Sequence, residues 1–342
     1  MNTHFFKFFC LLLIFLSIFQ LFCERITDPV AKYGSGKIAF SSFRDGTYNS
    51  EIYLMNLDGS EKINLTNYQS EDTNPSFSPD GSKIAYISLR PLTYFDIYIM
   101  NSDGTGKKNL TIYPGDDTNP LFSPNGSKIA FLSNRDSLYN IYIMNSDGSD
   151  IIRLTHHHTS IYSFEFSPDG SKLVFSASGE IYLINIDGSN LVNLSNHSGS
   201  DDEAVFTPDG KKIVFSSTEG GNRDIFSINL DGSERKNLTN HPNWDMEPVC
   251  STDGSKILFR STRDGSWDIF SMNPDGSQQA NLTRSNYNEW EWDISPDSKY
   301  VTYHANVHGN FEIFIMTIEG GGKSNLSQHP AHDGGPVFQP IK

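Results

Sequence analysis

The chain has 342 residues, of which 37% are hydrophobic and 13% aromatic, and this content is too high for a disordered chain. Its formal net charge is −15, so binding to nucleic acid or non-specific binding to an anionic membrane surface is not expected. The three cysteines, Cys10, Cys23 and Cys250, are too few for a disulfide framework.

The first 23 residues, MNTHFFKFFCLLLIFLSIFQLFC, form an apolar leader in which Lys7 is the only charged side chain. Its apolar run has the length of a signal-peptide core, which predicts export to the periplasm or the cell envelope. Cys23 resembles the lipid-accepting cysteine of bacterial lipoproteins, although Phe22 is bulky where that signal has a small residue. Cleavage, lipidation at Cys23 and retention as an anchor all stay open, and a membrane contact is expected only through this leader. Residues 24–35 are predicted to be a linker.

A repeated phrase follows the leader. NPSFSPDGSKIAY at residues 74–86 returns as NPLFSPNGSKIAF from 119 and SFEFSPDGSKLVF from 163. Its turn position recurs every 40 to 45 residues, at Pro79, Pro124, Pro168, Pro208, Thr252, Pro296 and Pro340. A fixed period of this length predicts a propeller or a solenoid, because one unit cannot bury its apolar face alone.

Each repeat contains four short runs with the alternation and the β-branched or aromatic content of strands. A PDG turn joins the first two runs, and a second Asp-Gly turn joins the third and fourth. Asp-Gly favours a hairpin because glycine takes the positive φ that the turn needs. The second turn recurs at Asp58, Asp103, Asp147, Asp187, Asp231 and Asp275, and Glu319-Gly320 replaces it in the last unit. Four antiparallel strands per unit indicate a propeller blade.

The two ends of the repeat region predict how the ring closes. The chain enters the repeat at a second strand, GKIAFSS from Gly36, and ends on a first strand, GPVFQP from Gly335. If the last strand joins the first three, no sheet edge is left open. The predicted fold is therefore an all-β, seven-bladed propeller of four-stranded antiparallel blades over residues 36–342, closed by the C-terminal strand.

The pattern FSPDGSKIAF, S.RDG, DIYIMN.DG and NLT resembles the repeat of TolB-type propellers, which is also similar to propellers of prolyl-oligopeptidase-type hydrolases. The resemblance covers most of the chain and implies the propeller fold. TolB itself carries an N-terminal domain and a six-bladed ring, whereas here the ring follows the leader directly, so a role in the Tol–Pal system is not expected. A hydrolase domain is not expected either, since no G-x-S-x-G elbow occurs.

Alternating strand directions put both Asp-Gly turns of a blade on one face and the longer, variable connections on the other, where we expect the ligand. There, six of the seven innermost strands begin with an acidic residue, and Ile161 stands in the seventh. The six are Asp72, Asp117, Asp201, Asp245, Glu289 and Asp333. This column predicts an acidic ring at the channel mouth that binds a cation or a basic peptide, or else carboxylates that cap their own loops. Glu203, Glu247 and Glu291, two positions further on, add negative charge on one side only.

Two further groups are candidates on the variable face. Of the four tryptophans, Trp244 and Trp290 have no counterpart in the other repeats, and tryptophan is frequent in binding hot spots. The run THHHTSIY from Thr155 suggests a metal, but on an extended segment His157 points opposite to its neighbours, so a metal site is not expected. The recurring NLT or NLS sequence matches the glycosylation sequon and is interpreted as outer-strand consensus.

The predicted function is a non-enzymatic, exported propeller that binds a protein or peptide partner in the cell envelope on the variable face and at the channel mouth. No cofactor, metal or catalytic residue is assigned. The alternative is a ring-only enzyme, a polysaccharide lyase or hydrolase with or without a metal, which would use His304, His308 and the channel acids.

Overall fold

Every repeat folds as one four-stranded antiparallel sheet in the computed structural model, which describes residues 36–46, 49–89 and 94–340. The strands end at the Asp-Gly turns, as at Gly59, which has a φ of 80° and donates its N–H to the carbonyl of Asn56 at 2.9 Å. No helix among the described residues is long and apolar enough to span a membrane. The predicted leader and the predicted linker lie outside the described residues.

The seven sheets are numbered here as blades, and their strands are given from the channel outward. Blade 1 contains β28 (Asp333–Phe338), β1 (Lys37–Ser42), β2 (Glu51–Asn56) and β3 (Ile63–Asn64). Blade 2 contains β4 (Asp72–Phe77), β5 (Lys83–Ser88), β6 (Asp96–Asn101) and β7 (Lys108–Asn109). Blade 3 contains β8 (Asp117–Phe122), β9 (Lys128–Ser133), β10 (Asn140–Asn145) and β11 (Ile152–Arg153). Blade 4 contains β12 (Ser163–Phe166), β13 (Lys172–Ala177), β14 (Glu180–Asn185) and β15 (Val192–Asn193).

The remaining three blades follow the same order. Blade 5 contains β16 (Asp201–Phe206), β17 (Lys212–Ser217), β18 (Asp224–Asn229) and β19 (Lys236–Asn237). Blade 6 contains β20 (Asp245–Cys250), β21 (Ile257–Ser261), β22 (Asp268–Met272) and β23 (Ala280–Asn281). Blade 7 contains β24 (Glu289–Ile294), β25 (Tyr300–Val307), β26 (Asn310–Thr317) and β27 (Ser324–Asn325).

The ring closes as the sequence predicts. The last strand, β28, pairs antiparallel with β1, with Ile38 opposite Phe338 and Ser42 opposite Asp333. The inner edge of blade 1 is thereby paired within the chain, and the prediction of seven four-stranded blades closed by the C-terminal strand is confirmed.

The hydrophobic core lies between neighbouring blades. One cluster, for example, joins Leu54 of blade 1 to Phe77 and Tyr86 of blade 2. Burying an aromatic side chain of this kind contributes about 1.5–3 kcal/mol, and each seam repeats the arrangement. Every blade therefore needs both neighbours to bury its apolar side chains, and the two faces of the ring stay available for contacts with other molecules.

The two faces differ in the way the repeat predicts. The two Asp-Gly turns of blade 2 contact each other, since the N–H of Ser102 donates to the carbonyl of Ser82 at 2.9 Å. We call this side the turn face and the opposite side, with the longer connections, the loop face. The innermost strands have a β-bulge near their loop-face end in every blade except blade 4.

Candidate functional site

The six acidic residues of the predicted ring begin the innermost strands, but their side chains are buried. Asp72, Asp117, Asp201 and Asp245 are 0% exposed, and Glu289 and Asp333 are 1% exposed. Ile161, in the seventh position, lies in the core between blades 3 and 4. The column therefore does not present a ring of carboxylates to the channel mouth.

Arginine side chains explain this burial in four blades. Arg135 donates two hydrogen bonds to Asp117 at 2.8 and 2.9 Å, and its guanidinium lies 4.7 Å from the ring centre of Tyr142. The equivalent ion pairs are Arg44 with Asp333, Arg235 with Asp201, and Arg263 with Asp245. These carboxylates neutralise buried arginines that stack on aromatic rings, so the structure does not support a binding role for them.

Glu289 has a different environment. It accepts hydrogen bonds from the hydroxyls of Ser285 at 2.5 Å and Thr283 at 3.1 Å. Burial, with a smaller contribution from the neighbouring Asp268, raises its pKa to about 8. The carboxyl group is thus held inside the seam between blades 6 and 7 rather than in the channel.

The central channel contains two adjoining cavities of about 520 and 350 Å³, which share Ser163, Phe164, Glu291 and Trp292. All seven innermost strands line them. On the side of blades 1 to 3 the lining is uncharged and includes Asn74, Asn119 and Val337. On the side of blades 4 to 7 it carries five carboxylates, Glu165, Glu203, Glu247, Glu291 and Asp293. The acidic half of the channel comes from positions two and four residues after the buried column.

Backbone amides of the next blade hold three of these carboxylates in place. Glu165 accepts from the N–H of Phe206 at 2.6 Å, and Asp293 accepts from the N–H of Phe338 at 2.7 Å. Burial nevertheless raises the pKa of Glu165 to about 7 and that of Asp293 to about 6. Glu203 accepts from the N–H of Glu247 at 2.7 Å and from the hydroxyl of Ser216 at 2.9 Å.

Glu247 and Glu291 lie in the same half of the channel. Burial raises the pKa of Glu247 to about 7. Arg260, 2.6 Å away, opposes this increase, and the like charges of Glu203 and Glu291 add to it. Burial also raises the pKa of Glu291. Nδ1 of His304, 3.5 Å from Glu291, accepts the N–H of Gly335, and burial and Arg260 lower the pKa of this histidine to about 4. His304 is therefore neutral, and within the described part of the chain the only cation that pairs with either glutamate is Arg260, which contacts Glu247.

Three of the channel glutamates occupy left-handed backbone. Glu203, Glu247 and Glu291 are bulge residues with φ values of 58°, 55° and 33°. The equivalent residues of blades 1 to 3 are Gly335, Asn74 and Asn119, the residue types that tolerate this conformation best. Glutamate is strained there by an amount on the order of 1 kcal/mol per residue. Folding alone thus favours Gly or Asn at these positions, and the carboxylates need another explanation.

Trp290 belongs to a stacked group beside the acidic half-channel. The Arg260 guanidinium, 4% exposed, lies 4.3 Å from the ring centre of Trp290 and 4.7 Å from that of Trp267. Trp290 is 37% exposed and Trp244 is 55% exposed, so both present ring surface to solvent on the loop face. The structure thereby connects Trp290 to Glu247 through Arg260.

The loop face carries most of the exposed large hydrophobic side chains. Eight of the twelve in the described residues lie there: Tyr68, Tyr94, Ile112, Tyr113, Leu138, Tyr162, Trp244 and Trp290. The other four are on or beside outer strands, as at Ile63 and Ile152. Such a concentration on one face marks an interaction surface.

The histidine run and the NLT sequences have structural roles. His156 and His158 are exposed, whereas His157 is half-buried and packs its ring 5.1 Å from that of Tyr182, which confirms the predicted alternation. Within the described ranges, no three His, Cys, Asp or Glu side chains cluster as a metal site. In the NLT sequences the third residue caps the neighbouring strand, as where the Thr66 hydroxyl accepts the N–H of Ile52 at 2.9 Å.

The family model of the TolB beta propeller domain matches residues 93–180 and 158–290, more than half of the chain. TolB from Acinetobacter baumannii is similar with a TM-score of 0.61 and 20% identity, over 91% of this chain and 70% of that one. An oligogalacturonate lyase in complex with manganese has a TM-score of 0.69 and 16% identity, over 82% and 85%. The β-propeller domain of the Trilobed protease from Pyrococcus furiosus has a TM-score of 0.68 and 16% identity, over 87% and 96%. These identities indicate a shared fold alone, and no curated protein matches the chain.

Proposed function

Because the chain belongs to the TolB beta propeller domain family, we propose that it is an exported binding protein whose central channel and loop face hold a segment of a partner protein. The ligand segment carries a positively charged group, which enters the acidic half of the channel. Its flanking apolar residues contact the uncharged half and the exposed aromatic side chains of the loop face.

The strained glutamates carry this proposal. Glu203, Glu247 and Glu291 stand where three other blades use Gly or Asn, and their backbone cost is offset only if the carboxylates do something that Asn does not. A cation between the three carboxylates relieves the repulsion by Glu203 and Glu291, which adds to the effect of burial in raising the pKa of Glu247. Exposed aromatic side chains such as Trp244 supply apolar contact at a low entropy cost.

The test is capture of partners from an envelope extract by residues 24–342 and by the triple variant E203Q/E247Q/E291Q. We expect the first protein to retain a partner that the triple variant loses. A charge-matched control, E61Q/E234Q/E319Q, removes three exposed glutamates far from the channel lining and should capture as well as the unmodified protein. Equal loss in both triple variants would mean that net charge, not the channel, attracts the partner.

A second candidate, the ring-only enzyme, is supported by the fold similarity to oligogalacturonate lyase. It is tested by incubating the same proteins with acidic oligosaccharides and measuring unsaturated or hydrolysed products. Turnover that the E203Q/E247Q/E291Q variant loses would assign the channel to catalysis instead of to peptide binding.

A further inference from the structure

The seam between blades 5 and 6 opens on the turn face into a cavity of about 620 Å³. Val214 and Leu238 of blade 5 and Ile257 of blade 6 form apolar walls, and Ser227 and Cys250 also line it. The volume lies within the range of about 300–1,000 Å³ that is usual for small-molecule sites. This cavity is separate from the central channel, with which it shares no lining residue.

Two shortened side chains enlarge the cavity. Cys250 stands where the other innermost strands have a large residue, namely Phe77, Phe122, Phe166, Phe206, Ile294 and Phe338. Ser227 stands where five other blades have an aliphatic residue, namely Leu54, Ile99, Ile143, Leu183 and Ile315, and where blade 6 has Ser271. Both changes fall on the same seam and remove packing volume from the same place. The equivalent seam between blades 2 and 3, which has Ile99 and Phe122 at these positions, contains a smaller cavity of about 420 Å³.

The turns at this seam also stand apart. At Gly126, Gly170 and Gly210, an added Cβ would lie 3.3 to 3.7 Å from the proline of the preceding blade's turn. At Gly254, the equivalent residue of blade 6, nothing lies within 4 Å. The gap between the turns of blades 5 and 6 is thus wider than the gaps between the equivalent turns of blades 2 and 3, 3 and 4, and 4 and 5.

The cavity contains polar groups that take no internal partner. The Ser227 hydroxyl makes no hydrogen bond within the described residues, although the residue is only 7% exposed. Burial raises the pKa of the Cys250 thiol to about 12, so this side chain is neutral and weakly polar. A mostly apolar ligand with one polar end fits this lining.

The mouth is bordered by lysines, of which two have loose contacts. Lys211 stands where four other blades have a serine, namely Ser82, Ser127, Ser171 and Ser255, and where blade 7 has Lys299; its Nζ is 3.5 Å from Asp209. Nζ of Lys256 is 3.5 Å from Asn273, whereas Lys83, Lys128 and Lys172 lie 2.5 to 2.7 Å from their asparagines. The carboxylates at the mouth accept bonds from their own turns, as Asp253 does from Ser251 at 2.7 Å. The ammonium groups of Lys211 and Lys256 are therefore the charges most free to meet a ligand.

We propose that this cavity binds a small amphipathic monoanion of the fatty-acid type, with its apolar chain between Val214 and Ile257 and its carboxylate between Lys211 and Lys256. The site lies on the turn face and works independently of the partner that the loop face and the channel hold.

The test is titration of the full ring with decanoate and with 1-decanol, measured by calorimetry. Decanoate should bind at millimolar concentration or better, and K211S/K256Q should weaken it about tenfold while leaving decanol unchanged. The variant S227I/C250F narrows the seam by placing there the residue types found between blades 2 and 3, and it should weaken the binding of both ligands by more than tenfold, whereas S227A/C250A keeps the cavity and should retain both. If S227I/C250F does not unfold cooperatively, C250L takes its place with the same expectation.

Two results would overturn the proposal. Equal decanoate binding by the S227I/C250F variant would show that the ligand binds elsewhere. The absence of binding to the unmodified ring at millimolar decanoate would show that the seam is only a packing defect.

Discussion

The buried pair of Asp117 and Arg135 gives a direct test of the structural role assigned to the acidic column. In the variant D117N the amide keeps the shape of the side chain but leaves the guanidinium of Arg135 without a counter-charge. The pair is buried, with two hydrogen bonds of 2.8 and 2.9 Å, and the arginine also stacks on Tyr142. Removing one partner of a buried ion pair costs about 3–5 kcal/mol.

For a ring of this size, about 2 °C is lost per kcal/mol, so we expect the Tm of D117N to fall by roughly 6–10 °C. Urea denaturation followed by far-UV circular dichroism measures the free energy, with D150N as the control because Asp150 is exposed. The double variant D117N/R135M should be less destabilised than the sum of the two single variants. If D117N changes the stability by less than about 0.5 kcal/mol, the carboxylate is not structural and returns as a candidate ligand group.

Three further predictions follow from the same structure. Burial raises the pKa of Glu165 and Glu247 to about 7, so the folded ring binds more protons than the unfolded chain between about pH 4.5 and 7. The Tm of the ring should therefore rise as the pH falls through that window, while partner capture weakens. A Tm that does not change with pH would contradict the burial of these carboxylates. Below about pH 4 the Tm should fall again, because turn aspartates such as Asp169, whose pKa the Ser167 hydroxyl and the Ser171 turn lower to about 2, lose stabilising bonds. W244A should weaken partner capture about tenfold without changing the Tm, since the ring is 55% exposed. G276A should unfold more than 5 °C lower, because φ is 88° and the new Cβ would lie 2.5 Å from a carbonyl oxygen of blade 5.

The sequence predicts the fold almost completely, because the fold is specified locally. Each Asp-Gly pair needs its own positive φ, as at Gly59 and Gly104, and each strand alternates by itself. The closure follows from counting strands. The repeat region starts with three strands that lack a first strand and ends with a single first strand, so pairing the two ends completes the seventh blade. The structure adds the bulge of the innermost strands, which the alternation pattern does not show.

The ion pairs of the acidic column had a detectable signal in the sequence. Arg135 of the phrase SNRDS follows Asp117 by one hairpin, and the related phrase S.RDG gives Arg44 and Arg263. Blade 4 has Ile161 in the column and lacks the arginine, since its hairpin is shortened to SASGEIY. Acid and base are thus lost together, which is what a buried ion pair requires. In blade 5 the partner of Asp201 is Arg235, which directly precedes the outermost strand instead of following the second strand, so it does not have this regular spacing.

The channel carboxylates could be predicted only in part. Glu203, Glu247 and Glu291 break the pattern of the repeat visibly, but a bulge decides whether such a residue faces the channel or the neighbouring blade. Glu165 and Asp293 occupy positions where four other blades have Leu or Val and blade 2 has Ser76, and their approach to the next blade depends on how far the sheets are rotated. The repeat therefore determines the scaffold, whereas its departures from the consensus mark the places where folding does not explain the residue. The half-channel acids and the shortened pair Ser227 and Cys250 are such departures, one set adding charge and the other removing volume. Each is more economically explained by a ligand than by the fold, because blades 1 to 3 fold without the acids and five blades fold without the shortened residues.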